Sequence, residues 1–149
     1  MKTLVIEWQR LLNEESQTCP RCGSTEQELE RAVQELNRML ASSSVAVSLV
    51  KKSLAPAAFN KDTLQSNKIV IAGKEMEKWL GATTGQSRCC EACGYAECRT
   101  VEYGGDSHEA VPAELIVEAG LAAAAAVFKL KFPARTGRRI AVLKLKGKR

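Results

Sequence analysis

The apolar positions of the chain change period several times, and each change predicts an element. From Thr3 to Leu12, Leu4, Ile6 and Trp8 alternate with other residues, which is the pattern of a half-buried strand. A polar run follows, and then the segment Cys19-Pro20-Arg21-Cys22. Beyond it the period becomes helical. Leu29, Ala32, Val33, Leu36, Met39 and Leu40 share one face, and Glu28, Glu30, Arg31, Gln34, Glu35 and Arg38 take the other. Three serines at 42–44 end that helix, and Val45, Val47 and Leu49 alternate as a second strand. Residues 55–65 read as a loop with a helical turn, and "NKIVIAG" at 67–73 as a third strand closing at a glycine. A short helix at 75–80 carries Trp79. Residues 81–98, rich in Gly, Thr and Cys, read as loop. "RTVEYGGDSHEAV" predicts a β-hairpin turning at Gly104-Gly105. Pro112 is placed at the first position of a last helix that buries Leu115, Ile116, Ala119 and Leu121.

The order is strand-helix-strand and then strands before a final helix. A strand-helix-strand unit gives a parallel pair, and the hairpin adds antiparallel strands. The expected class is therefore α/β, with a mixed (α+β) sheet carrying helices on its faces.

Composition narrows the function classes. The chain has 149 residues, 45% of them hydrophobic and 26% charged, enough for one domain with a packed core. No apolar run is long enough for a membrane span, and the N-terminal segment lacks the pattern of a secretory signal. A cytoplasmic location is expected, where paired cysteines serve redox or metal chemistry more often than structural disulfides. The net charge of +5 is uneven: residues 129–149 hold nine Lys and Arg and no acid. The other 13 basic residues face 17 acidic ones, so residues 1–128 carry about −4. The expected division is a domain over 1–128 and a basic, solvated tail over 129–149. The tail lacks interleaved aromatic residues, so nucleic acid is not an expected partner.

The candidate chemistry lies in six cysteines. Cys19 and Cys22 stand between a strand and a helix. The unpaired N–H groups and partial positive charge of a helix N-terminus stabilise a thiolate there, and Arg21 adds a cation. On this reading Cys19 is the exposed attacking thiol and Cys22 the resolving thiol. "CPRCG" also has the form of a zinc knuckle. Cys89, Cys90, Cys93 and Cys98 lie within ten residues and offer thiolates to zinc or another soft ion. Cys90, Cys93 and Cys98 are the expected ligands, with Cys89 or a more distant cysteine as the fourth. Arg88 and Arg99 flank this cluster and are expected to help hold its thiolates. Electron relay between the two cysteine sets is the alternative. His108, the single histidine, reads as a solvated strand residue, and Glu26, Glu28 and Glu30 as a solvated helix face. Trp8 and Trp79 read as core.

The stretches "IEWQRL", "TCPRCGSTEQEL", "SNKIVIAGKEMEKWLG", "CCEACGYAECRT" and "VPAELIVEAGL" together resemble a prokaryotic thioredoxin-like family of unknown function. Its members pair an N-terminal CPRCG with a later CCxxCG…CR cluster. The resemblance covers residues 1 to about 121. It implies a thioredoxin-like β-α-β-β-β-α order with a Cys-rich insertion at about 81–99. One departure matters. Where thioredoxins place a cis-proline facing the dithiol, this chain has Asn67. That removes a group that docks substrate backbone and keeps metals off the dithiol.

The leading expectation is thiol-disulfide exchange at Cys19 and Cys22 with a protein or small-molecule thiol or disulfide partner. The rival is a thiolate protein that binds or senses a soft metal or metalloid, and the third reading is a non-enzymatic domain stapled by zinc.

Overall fold

The computed structural model of the chain describes residues 1–12, 19–88 and 96–132. Strand β1 (Lys2–Leu11), helix α1 (Pro20–Leu40) and strand β2 (Val45–Leu54) form the expected strand-helix-strand unit. β1 and β2 are parallel, with Leu4 opposite Val47 and Trp8 opposite Lys51. A single 3-10 turn at Ala41–Ser43 ends the helix, and Ser44 takes a left-handed φ of 58° to reverse the chain. Helix α2 (Pro56–Lys61) and a 3-10 turn at Thr63–Gln65 lead to strand β3 (Lys68–Ile71). β3 is antiparallel to β1, pairing Ile69 with Trp8 and Ile71 with Ile6. A two-residue strand β4 (Lys74–Glu75) follows, and the sheet order is β2-β1-β3-β4.

The remaining elements are helix α3 (Met76–Leu80), strands β5 (Thr83–Arg88), β6 (Glu97–Tyr103) and β7 (Asp106–His108), and helix α4 (Ala113–Phe128). The hairpin forms where expected. Gly104 and Gly105 both have positive φ, 62° and 85°, which suits a two-residue turn between right-twisted strands. It does not join the first sheet. It pairs with β5 in a separate sheet of order β5-β6-β7, and the partner of β3 is instead Lys74–Glu75. The start of the expected Cys-rich loop is thus a strand. "TTGQSR" shows no apolar alternation because β5 lies largely exposed and is held by backbone pairing to β6.

This is a mixed α/β arrangement with two sheets, compatible with a thioredoxin-like fold. Its core joins Leu4, Ile6 and Trp8 of β1 and Ile69 and Ile71 of β3 to Leu29, Ala32, Leu36 and Leu40 of α1. Every residue of α4 from Ala113 to Leu121 is buried. The close approach of α1 and α4 needs Gly120, because a Cβ there would stand 2.6 Å from Leu36 Cδ1. Leu130 and Phe132, just past α4, also pack on the core; residues 133–149 lie outside the described residues. No helix of the described residues is long and apolar enough to cross a membrane.

The polar face of α1 is not simply solvated. Glu35 is buried and pairs with Arg38. Glu28 Oε1 accepts from the backbone N–H of Ala113 at 2.9 Å, and Thr25 Oγ1 accepts from that of Val111 at 3.2 Å. α1 therefore supplies the cap of α4 from a distance, and Pro112 sits one position before the first helical residue. Glu26 and Glu30 both bind Lys51 Nζ, at 2.8 and 2.9 Å, and these two hydrogen bonds hold the lysine's pKa above its ordinary value.

Candidate functional site

Cys19 is the residue that caps α1, with extended backbone (φ −74°, ψ 163°), and its carbonyl accepts from Gly23 N–H at 2.9 Å. Pro20 opens the helix. Its fixed φ suits the first turn, and its missing N–H costs nothing there. Cys22 follows in the same turn. The expected exposure of Cys19 is not found: Cys19 is 6% and Cys22 4% exposed, and both belong to the hydrophobic core. The physical reason is that both side chains join the core cluster of β1, β3 and α1. The Cys22 thiol lies 3.8 Å from Ser66 Oγ, which accepts from Leu11 N–H at 2.9 Å. The dithiol thus stands over the junction of β1 and the turn before β3.

Asn67 occupies that turn and explains the missing proline. It is buried and left-handed, with φ 65°, a conformation that Asn tolerates better than most residues and that proline is denied. Its amide spans the site: Oδ1 accepts from Trp8 Nε1 at 3.0 Å, and Nδ2 donates to the Glu109 carbonyl at 3.2 Å. Among the described residues there is no cis peptide bond.

Arg21, between the two cysteines, reaches across to the second sheet. Its Nη2 donates to the Arg88 carbonyl at 2.8 Å and pairs with Glu109 Oε2 at 3.2 Å. Ser87 Oγ donates to the same Glu109 oxygen at 3.0 Å. Arg88 immediately precedes Cys89. On the other side of the insertion, Thr63 Oγ1 donates to the carbonyl of Glu97, next to the buried Cys98. Both stems of the Cys-rich segment are therefore tied to the neighbourhood of the dithiol, one through Arg21 and one through the turn that leads to Ser66. Cys89, Cys90 and Cys93 lie outside the described residues. Among the described residues no three His, Cys, Asp or Glu side chains are assembled to hold a metal ion.

Among the described residues Arg99 meets no thiol. It is 4% exposed, and its guanidinium is committed elsewhere. Nε donates to Glu77 Oε2 at 3.1 Å, and Nη1 to the Leu64 carbonyl at 2.8 Å. Nη2 donates to Glu75 Oε1 at 3.0 Å and Thr84 Oγ1 at 3.2 Å. The Arg99 hydrogen bond is the main cause that lowers the Glu75 pKa from 4.5. Trp8 is core as expected, while Trp79 is half-buried, donates to the Ile71 carbonyl at 2.8 Å and carries Lys74 Nζ over its ring. His108 lies half-buried in β7.

Sequence reasoning located the dithiol and missed Ser66, Glu109 and the Arg21–Arg88 link. The one signal for them was Arg21 itself, a charged residue inside the motif.

A family model described as a domain of unknown function, DUF2703, matches residues 4–120. An uncharacterized protein of Archaeoglobus fulgidus is 38% identical over 113 residues, spanning 76% of this chain and 82% of its own length. No solved structure matches the chain.

Proposed function

The chain belongs to the DUF2703 family, and we propose that it is a thiol-disulfide oxidoreductase whose reacting groups are Cys19 and Cys22. The observation that carries this reading is a dithiol in the first turn of a 21-residue helix with a largely buried arginine between its members. In the step envisaged, the Cys19 thiolate attacks one sulfur of a disulfide. The substrate S–S bond breaks, its pair leaves on the second sulfur, and a mixed disulfide forms on Cys19. The Cys22 thiolate then attacks Cys19 Sγ, releasing the other half as thiol. The substrate gains two electrons and the dithiol becomes a disulfide, which an external thiol reductant restores. Because the two thiols are buried, exchange requires local opening of the α1 end.

Trapping tests it. Cys22→Ser should accumulate mixed disulfides through Cys19, and Cys19→Ser should accumulate none. Equal trapping by both variants would remove the assignment of roles.

The convergence of the insertion stems on the dithiol favours a second reading, in which both cysteine sets hold one thiophilic ion, such as zinc. The donors fit a soft cation, and thiolate ligation would fasten the insertion to the domain. The same two variants, purified under reducing conditions, read this out by elemental analysis. Loss of bound metal in both would make CPRCG half of a metal site, and metal retained in both would confine it to the later cysteines.

A further inference from the structure

Arg21 carries a donor that the described protein does not use. Its side chain is 9% exposed. Nη2 is committed to the Arg88 carbonyl and to Glu109. Nη1 is buried and has no hydrogen-bond partner among the described residues. Buried guanidinium N–H groups are rarely left without an acceptor, and those that are call for an explanation. Arg21 is also the second residue of α1, where the first four backbone N–H groups have no partner within the helix. The first turn holds no acidic residue to answer that positive end. Among the described residues the acid that pairs with it is Glu109, on the Nη2 side of the guanidinium and 60% exposed.

We propose that Arg21 Nη1 and the α1 N-terminus seat the carboxylate of the substrate, so that the dithiol prefers disulfides bearing a carboxylate close to the sulfur. This deepens the redox reading and rests on it for the identity of the reaction. A carboxylate suits a guanidinium edge, and charge-assisted bonds there give orientation as well as affinity. Glu109 limits the site to a single anionic group, because a second would meet its charge.

Alkylation of reduced, full-length protein isolates the effect. Iodoacetate and iodoacetamide are both attacked by a thiolate at their CH₂ carbon with loss of iodide, and differ in carrying a carboxylate or a neutral amide. The ratio of their rates at Cys19, read by peptide mass mapping, cancels any change in the thiolate fraction. Arg21→Gln should lower that ratio about tenfold, the size of one lost charge-assisted bond. Arg21→Lys should fall between, and Glu109→Gln should raise the ratio. A ratio unchanged in Arg21→Gln, with both rates falling together, would reduce Arg21 to a thiolate stabiliser and overturn the proposal. If Arg21→Gln does not fold, Glu109→Gln decides, and no rise overturns it. Cys19 unreactive to both reagents would also overturn it. Trapping that fails while the ratio responds removes the redox reading and keeps the anion site. Trapping that succeeds with a flat ratio does the reverse.

Discussion

The four-stranded and three-stranded sheets are held by different means. In the first, Leu4, Ile6 and Trp8 of β1 meet Ile69 and Ile71 of β3 under α1, and the strands are ordered by apolar area removed from water. In the second, β5 is largely exposed, and β6 adds only Cys98 and Val101 to the buried core while carrying one buried cation. Arg99 binds Glu75 of β4, Glu77 of α3, Thr84 of β5 and the Leu64 carbonyl. The first sheet is continuous with the core, so its loss is the loss of the domain. The second meets the buried core through two β6 side chains and a set of directional contacts, so it responds to single polar substitutions.

The sharpest way to break that contrast is Arg99→Met. It leaves Glu77 buried with Thr84 as its remaining partner; Glu77 Oε1 already has none among the described residues. The expected cost is about 3–5 kcal/mol in urea unfolding. Adding Glu77→Leu should recover most of it, since a buried pair replaced by apolar groups is close to neutral. A loss under about 1 kcal/mol for Arg99→Met would mean that backbone pairing and the burial of Cys98 and Val101 hold the second sheet.

Asn67 tests the first sheet at a buried polar point. Asn67→Ala strands the indole N–H of the fully buried Trp8 and places a Cβ residue at φ 65° without the local hydrogen bonding that suits Asn. A loss of about 3 kcal/mol is expected. Asn67→Gly relieves the backbone term only and should cost about 1 kcal/mol less. Equal losses for the two, measured by denaturant unfolding, would show that the Trp8 bond carries the whole effect.

The smallest effect is acid sensitivity. Arg99 lowers the Glu75 pKa from the ordinary 4.5. The associated stability is present above 4.5 and is lost as the pH falls through the lower folded value. Stability curves of the wild type and Glu75→Gln should therefore converge as the pH drops below 4.5. Parallel curves would show that Glu75 adds nothing to the Arg99 cluster.

Each element with a strong apolar period was legible in the chain. Leu4, Ile6 and Trp8 marked β1, the Leu29-to-Leu40 series marked α1, and Gly104-Gly105 marked the hairpin turn. These signals are local, because the period of side-chain burial follows directly from backbone geometry. β5 was not legible, because a strand ordered by its neighbour's backbone needs no apolar pattern of its own. Nor were the fates of Glu28 and Glu35, which a helical wheel assigns to water and which contacts with α4 and Arg38 claim instead.

The same division runs through the candidate site. Sequence by itself determined that Cys19 and Cys22 open a helix behind Pro20, since that depends on neighbours in the chain. Only the tertiary structure decided that both thiols are buried, with Cys22 beside Ser66, that Arg21 reaches the stem of the later cysteines, and that Arg99 answers Glu75 and Glu77. The partner of a long polar side chain is set by which element packs across from it, 22 positions away for Arg99 and Glu77 and 67 for Arg21 and Arg88. No local period carries that information, because packing chooses the partner only after the two sheets have met.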